Sequence, residues 1–308
     1  MRSSVLLVIW ILAGGPGIIS LPAQALDSLF FKKAQQRFAE GQYFRVLDVL
    51  DSLLQKKPDF APAYFLKGLT EYRLKNVNAA LVNFDLAIAY KPDYLEAYYN
   101  RGLLEAGTQQ YDKAIENFDK LLGINPEIGP AYLQRALAHL AQGQDQAARN
   151  DFRETLRRLP NSPEAHFHLA RLEREGGDSL QAARHLQTLF QLQPQHEAGL
   201  LLAAEWLLEA GRYAELEATC TTLLALNPYQ WKARLGRGIA AFYTQKWSEA
   251  EADLNQVIAK EKENAQAWWY RGRLKQALGD LAGACADWKM AQSLGYLEAP
   301  AFLQQFCP

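Results

Sequence analysis

The sequence of 308 residues lacks an excess of charge of either sign, because 33 lysine and arginine residues balance 34 aspartate and glutamate residues. A nucleic-acid-binding protein usually carries a basic face that displaces counterions from the phosphate backbone. The sequence also lacks a glycine-rich phosphate loop, a nucleophile elbow and a zinc-protease signature. These absences argue against nucleic-acid binding and against catalysis, and they predict no cofactor.

Histidine and cysteine are too few and too scattered to indicate a metal site. Four of the five histidines fall between residues 166 and 196, but His166 and His168 would point to different faces of a helix. No aspartate or cysteine stands at ligand spacing from them. We therefore predict that the chain binds no metal.

Residues 1–25 read as a secretory signal peptide. Arg2 supplies a positive charge, residues 5–13 are an unbroken apolar run, and a small-x-small cleavage pattern ends at Ala25. We predict cleavage after Ala25, and hence a secreted protein, periplasmic or extracellular, with no stable membrane insertion. The alternative is an uncleaved anchor formed by residues 5–21, which would make the chain a membrane-tethered scaffold.

From residue 27 to residue 298 the sequence repeats with a period of 34 residues and no insertion. Eight repeats fill this interval: 27–60, 61–94, 95–128, 129–162, 163–196, 197–230, 231–264 and 265–298. The eighth position of every repeat is small: Ala34, Gly68, Gly102, Ala136, Ala170, Ala204, Gly238 and Gly272. Position 20 is alanine in six repeats, and position 32 is proline in six. No linker divides the array, so we predict one domain.

The repeated columns predict a helical hairpin in each repeat. Small residues at positions 8 and 20 would let two antiparallel helices approach closely, and aromatic residues at positions 4 and 24 would fill the space beside that contact. Glycine at position 15 permits a turn, and proline at position 32 ends the second helix. Such a hairpin cannot bury its apolar face alone, so neighbouring hairpins must stack.

These columns resemble those of the tetratricopeptide repeat. The A-x3-F element of that family is present as Ala80 with Phe84, Ala114 with Phe118, and Ala148 with Phe152. The resemblance implies an all-α, right-handed superhelical solenoid of eight 34-residue helix-turn-helix repeats. Residues 299–308 would form a short C-terminal cap, because the last apolar face would otherwise meet water. The end of the chain is similar to that of many secreted bacterial tetratricopeptide proteins.

Two of the three cysteines could form a disulfide. Cys285 lies near the start of the last predicted repeat helix, and Cys307 lies at the end of the predicted cap helix. If the two helices pack antiparallel, these ends are adjacent, and an oxidising compartment would allow the bond. The alternative is two unpaired thiols. Cys220 occupies position 24 and is predicted to be a small buried hydrophobic residue.

Position 7 is basic in six repeats, where the family usually has leucine: Lys33, Lys67, Arg101, Arg135, Arg237 and Arg271. One interpretation is a ladder of donors for an acidic partner. The other packs the aliphatic stems between helices and pairs the charged ends with acids four residues further on. Lys67 with Glu71 and Arg101 with Glu105 have this spacing, and we favour the second interpretation.

The resemblance also implies that the first helices line a concave groove that binds a protein or peptide segment. Exposed apolar surface and aromatic anchors usually mark such a site. The side chains predicted to line the groove are Phe31, Phe65, Tyr72, Tyr99, Leu103, Phe167, Arg171, Arg174, Phe242, Tyr243, Trp269 and Arg273. The alternative is that these side chains are partly buried between neighbouring first helices.

The carboxylate clamp of the family is absent, because no repeat has lysine at position 5. Arg171, Arg174 and Arg273 could instead seat an acidic residue of a partner. We therefore predict a non-enzymatic adaptor of the cell envelope or exterior.

A second hypothesis for the same surface is a binder of glycans or small molecules. It would use Tyr99, Trp269 and Tyr270 as a stacking surface.

Overall fold

The computed structural model describes residues 29–307. Within that range it contains seventeen helices and no strands. The predicted signal peptide and its cleavage site lie outside the described residues. The fold is an all-α helical-repeat solenoid, as the periodicity and the resemblance predict.

The helices alternate between a first and a second helix of each 34-residue repeat. The first helices are α1 (Leu29–Ala39), α3 (Ala61–Arg73), α5 (Leu95–Gly107), α7 (Gly129–Ala141), α9 (Pro163–Glu175), α11 (Glu197–Glu209), α13 (Trp231–Tyr243) and α15 (Ala265–Ala277). The second helices are α2 (Tyr43–Lys56), α4 (Val77–Tyr90), α6 (Tyr111–Ile124), α8 (Asp145–Arg158), α10 (Ser179–Leu192), α12 (Tyr213–Leu226), α14 (Trp247–Lys260) and α16 (Leu281–Ser293). A final helix, α17, spans Ala299–Phe306.

The chain divides into two compact units, an N-terminal unit Met1–Ala165 and a C-terminal unit His166–Pro308. The uninterrupted period predicts one domain instead. The period fixes the length of each repeat, but it does not determine how densely neighbouring repeats pack. The two units are therefore described separately below.

The ends of the helices follow the repeat closely. From α3 onward, every first helix begins at the first residue of its predicted repeat. The second helices from α2 to α14 end two residues before position 32, as Tyr90 does before Pro92. Helix α14 ends at the equivalent residue, Lys260, although Lys262 replaces the proline. Proline reinforces this end, but the stop does not depend on it.

The turn between the two helices of a hairpin needs a left-handed residue at position 15. Gly41 and Gly143 supply it, with φ of 73° and 71°. Where glycine is missing, Lys75, Gln109 and Gln245 adopt the same conformation, with φ of 65°, 63° and 61°. The geometry of the hairpin therefore determines this conformation, and glycine makes it easier to adopt.

The two helices of the last repeat meet at the small residue of position 8. A Cβ atom on Gly272 would lie 2.5 Å from Cδ1 and from Nε1 of the fully buried Trp288. In the fourth repeat, Ala136 and Phe152 occupy these two positions and both are buried. Trp288 therefore requires glycine opposite it, whereas Phe152 in the fourth repeat lies opposite an alanine.

We expect Gly272→Ala to lower the free energy of unfolding by about 1–3 kcal/mol, because the new methyl group overpacks the Trp288 ring. Gly123→Ala is the matched control, since it lies inside α6 with open space around its Cβ position. The control should raise stability by roughly 0.5–1 kcal/mol. Urea denaturation of both variants gives the comparison, and a Gly272→Ala protein as stable as the control would contradict the packing described here.

The C-terminal helix α17 covers the end of the last repeat. Phe302 lies edge-on to Trp269, with 4.6 Å between ring centroids, and 5.3 Å from Trp288. A disulfide joins Cys285 in α16 to Cys307, with the two Cα atoms 5.8 Å apart. The cap is therefore held both by aromatic packing and by a covalent bond.

We expect reduction of this disulfide to lower the free energy of unfolding by about 2–4 kcal/mol. The comparison is urea denaturation with and without dithiothreitol, for the native protein and for a Cys285→Ser/Cys307→Ser variant. The variant should match the reduced protein and should not respond to the reductant. Cys220 should contribute nothing, because burial raises the pKa of its thiol to about 12. A native protein with the same midpoint in both solutions would show that the bond adds no stability.

Candidate partner-binding surface

Four of the side chains predicted to line a binding groove are buried instead. Phe31, Leu103, Phe242 and Trp269 are between 2% and 8% exposed. They occupy positions 5, 9 and 12 of their repeats, where they pack inside the array. The prediction that these four line a groove is wrong, and the alternative of burial holds for them. A buried Trp269 also offers no open ring face for stacking against a sugar.

In the N-terminal unit, the remaining predicted groove residues are half-buried: Phe65, Tyr72 and Tyr99. The Phe65 ring centroid lies 5.1 Å from that of Tyr94, and Tyr99 lies 6.0 Å from Phe118. Burial raises the pKa of the Tyr99 phenol to about 12. These rings belong largely to the core of their hairpins and present only part of their surface.

The C-terminal unit presents a different surface, built around Tyr243 at the end of α13. Tyr243 is 41% exposed and is stacked on Tyr213, with 4.1 Å between ring centroids and 8° between ring planes. Its ring also lies 5.2 Å from that of Phe242 and 6.1 Å from that of Tyr270 in α15. The sequence indicated Tyr243 but not Tyr213, although position 17 is aromatic in four repeats: Tyr43, Tyr111, Tyr213 and Trp247. The aromatic residues at position 17 were the sequence signal that could have indicated Tyr213.

Four phenols come together here, and we call Tyr213, Tyr243, Tyr270 and Tyr296 the tyrosine cluster. Burial raises the pKa of Tyr270, and a hydrogen bond with Tyr243 adds to the rise. Burial likewise raises the pKa of Tyr296 to about 12. Burial also raises the pKa of Tyr213, so the hydroxyl groups of Tyr213, Tyr270 and Tyr296 are protonated near pH 7 and can donate hydrogen bonds.

Arg273 in α15 lies beside the tyrosine cluster. Its guanidinium carbon is 5.2 Å from the ring centroid of Phe302, 5.6 Å from Phe242 and 5.9 Å from Trp269. Its charge also acts on Tyr296, where it opposes the rise in that phenol's pKa. Within residues 29–307, Arg273 makes no ion pair and no side-chain hydrogen bond. It is a half-buried cation held by aromatic rings alone.

Unlike Arg273, five of the six basic side chains at position 7 are bound to carboxylates of the protein. Arg135 donates from Nε and Nη2 to the two carboxylate oxygens of Asp151, at 2.8 and 2.7 Å, and from Nη1 to Asp119 at 2.5 Å. Asp151 is at position 23 of the same repeat, and Asp119 is at position 25 of the preceding repeat. Four other members of this column pair at the same positions: Lys67 with Asp51, Arg101 with Asp85 and Asn117, Arg237 with Asp253, and Arg271 with Asn255 and Asp287. The sixth member, Lys33, is exposed and forms no ion pair within residues 29–307.

The pairing predicted for position 7 is therefore only half right. The charged ends are paired, but their partners are 16 residues away on other helices and not four residues along the same helix. The sequence spacing of Lys67 with Glu71 led to the wrong partner. Since five of these six cations are already bound to protein acids, the column does not form a ladder of donors for an acidic ligand.

Arg171, Arg174 and Glu175 lie at the end of α9. Arg174 pairs with Glu209 at 2.5 Å and with Glu205 at 3.8 Å, while Arg171 is 3.9 Å from Glu175. A cavity of about 410 Å³ adjoins them and is lined by Arg174, Glu175, Ser179, Trp206 and Glu209. Arg174 is thus neutralised by acids of the neighbouring first helix.

No group of three or more histidine, cysteine, aspartate or glutamate side chains that could hold a metal ion occurs within residues 29–307. His166 and His185 form a close pair, with 3.0 Å between their Nδ1 atoms. In the same part of the chain, no helix is long and apolar enough to cross a membrane.

Comparison with known proteins identifies the repeat. Family models of the tetratricopeptide repeat match residues 95–128, 129–172 and 235–288. No curated protein sequence matches the chain. The structure resembles PilF of Pseudomonas aeruginosa with a TM-score of 0.59 at 17% identity, covering 69% of this chain and 96% of that one.

Two further solved structures have the same fold. YrrB, described as a tetratricopeptide protein with an unusual peptide-binding site, has a TM-score of 0.54 at 17% identity, with 60% of this chain and 95% of that one covered. MamA from Desulfovibrio magneticus RS-1, from residue 41 to its end, has a TM-score of 0.50 at 19% identity, with 55% and 95% covered. At these identities the likeness establishes the fold.

The fold and the repeat define an α-solenoid built from 34-residue hairpins. More narrowly, the chain is a tetratricopeptide-repeat protein.

Proposed function

We propose that the protein is a non-enzymatic scaffold that binds an extended segment of a partner protein along its first helices. The contact surface in the C-terminal unit is the tyrosine cluster with its neighbour Arg273. Tetratricopeptide-repeat proteins bind protein or peptide partners, and this proposal names the surface that does so here.

The exposure of Tyr243 is the observation that carries the proposal. Most aromatic side chains of the first helices are buried or half-buried, whereas Tyr243 exposes 41% of its surface at the edge of an aromatic cluster. A tyrosine that is held by stacking loses little conformational entropy when a ligand covers it. Aromatic residues in such positions are common anchors of binding interfaces. YrrB, which is described as having a peptide-binding site, offers a parallel on the same fold.

We also propose that the protein works outside the cytoplasm. The signal-peptide pattern of residues 1–25 supports this location. The disulfide between Cys285 and Cys307 supports it independently, because such bonds persist mainly in oxidising compartments.

Affinity capture tests the scaffold function. The full chain with a C-terminal tag is expressed in its native host, and captured proteins are identified by mass spectrometry. A Tyr243→Arg variant should lose a partner that the native chain retains. Tyr229→Arg is the matched control, since Tyr229 is 75% exposed and lies outside the tyrosine cluster.

Circular dichroism must show that both variants keep the helical content of the native chain. A partner that persists with Tyr243→Arg, or disappears equally with Tyr229→Arg, would contradict binding at the tyrosine cluster.

A further inference from the structure

We infer that Arg273 is a subsite for the carboxylate of an aspartate or glutamate side chain within the bound partner segment. This inference rests on the proposed function, because it specifies the chemistry of the same surface. The partner segment would therefore carry an acidic residue at a fixed position relative to the tyrosine cluster.

Arg273 differs from the arginine residues at position 7 because it has no carboxylate partner among the residues that the structure describes. The arginine residues at position 7 that resemble it in burial are bound to carboxylates of the protein, as Arg271 is to Asp287 at 2.7 and 2.8 Å. Arg273 is two residues further along the same helix, and it has no acidic partner within residues 29–307. A half-buried cation has lost part of its hydration, so an anion that reaches it gains more than at an exposed site.

No acid within residues 29–307 forms an ion pair with Arg273. Asp280 caps α16 by accepting from the backbone N–H of Gly283 at 2.9 Å. Glu298 acts on the phenol of Tyr296 but forms no ion pair with Arg273. The guanidinium of Arg273 is therefore available to pair with a negative charge from a ligand.

Three aromatic rings around Arg273 orient its guanidinium group. Three rings, those of Phe242, Trp269 and Phe302, lie 5.2–5.9 Å from its central carbon. Cation–π contact with these rings restricts the side chain without occupying its N–H donors. A planar fork of donors that is already held in place matches a carboxylate, which can accept two parallel hydrogen bonds.

The charge balance favours a carboxylate over a phosphate. Lys275, the next basic residue of α15, is bound to Asp287 at 2.9 Å. The surface thus offers one uncompensated positive charge, which suits a monoanion, together with neutral phenol donors from the tyrosine cluster. A phosphate group carries about −1.5 to −2 charges near pH 7 and usually attracts several cations.

The position of Arg273 favours a side chain over a chain terminus. Its guanidinium is bordered by aromatic rings of three helices, those of Phe242 in α13, Trp269 in α15 and Phe302 in α17. An extended segment that lies across these three helices can therefore present a side chain to the guanidinium.

Peptide selection tests the inference directly. A random dodecapeptide library, displayed with its C-termini fused to the phage coat protein so that no free terminal carboxylate is present, is selected on the purified protein. The leading sequence is synthesised as a C-terminal amide, together with a version in which its acidic residue becomes the matching amide. Affinities are measured by fluorescence polarisation for the native protein, Arg273→Gln and the control Lys232→Gln, which removes an exposed charge from α13.

The native protein and Lys232→Gln should bind the acidic peptide at least tenfold more tightly than its amide version, whereas Arg273→Gln should bind both within about threefold. Peptides selected without an acidic position, or an equal preference for the acidic peptide in Arg273→Gln, would overturn the inference and leave the proposed function standing. If no peptide is selected at all, peptide binding itself fails, and the inference fails with it.

Discussion

Replacing Arg135 by methionine should lower the free energy of unfolding by about 3–5 kcal/mol, because it leaves the Asp151 carboxylate buried without its cation. Asp151 is 5% exposed and receives two hydrogen bonds from Arg135. Methionine retains most of the aliphatic stem, so the loss reports on the charge and not on packing. Urea denaturation followed by circular dichroism measures the change.

Two further variants make this result specific. Arg157→Met removes a 73%-exposed arginine that pairs with Glu154, and it should cost less than about 1 kcal/mol. Arg135→Met/Asp151→Asn should recover most of the lost stability, because asparagine already occupies position 23 at Asn83 and Asn117. At both sites its amide donates to the carbonyl four residues earlier. A single variant as stable as Arg157→Met would show that the position-7 pairs do not hold the hairpins together.

Trp288→Ala should cost about 3–5 kcal/mol, the range for removing a fully buried large aromatic side chain. Trp288 fills the space opposite Gly272 and contacts Trp269, Phe302 and Phe306. Its loss would therefore open a cavity beneath the cap helix α17. The change is measured by urea denaturation and by the near-ultraviolet circular dichroism of the aromatic residues.

Met290→Ala is the matched control for Trp288→Ala, because Met290 lies on the same helix and is 41% exposed. It should change stability by less than about 0.5 kcal/mol. Comparable losses in the two variants would mean that Trp288 does not fix the cap to the last repeat.

The sequence was a good guide to local structure because the relevant signals recur every 34 residues. The small residue of position 8, the turn at position 15 and the end of the second helix depend on contacts within one hairpin. Gly272 opposite Trp288 is an example, since both residues belong to one repeat. Such short-range requirements leave a pattern that eight copies make visible.

The binding surface was harder to predict because it depends on contacts between repeats. Helical spacing placed Arg101 with Glu105, but its partners Asp85 and Asn117 lie on the two second helices beside it. The stack of Tyr243 on Tyr213 likewise joins two repeats.

Burial was the other property that the pattern alone did not determine. A concave surface of the family type predicts exposed rings at Phe31 and Trp269, yet neighbouring aromatic side chains cover both of them. How far a ring on a first helix is covered depends on the sizes of its neighbours in the next repeat or in the cap.

The central claim, that a partner segment lies against the tyrosine cluster, is tested most directly by site-specific photo-crosslinking in the native host. A photoreactive phenylalanine derivative replaces either Tyr243 or Tyr229, two tyrosines of the C-terminal unit with exposed rings. The proposed surface predicts a discrete crosslinked product from position 243 and none from position 229. A partner crosslinked equally from both positions, or from position 229 alone, would contradict it.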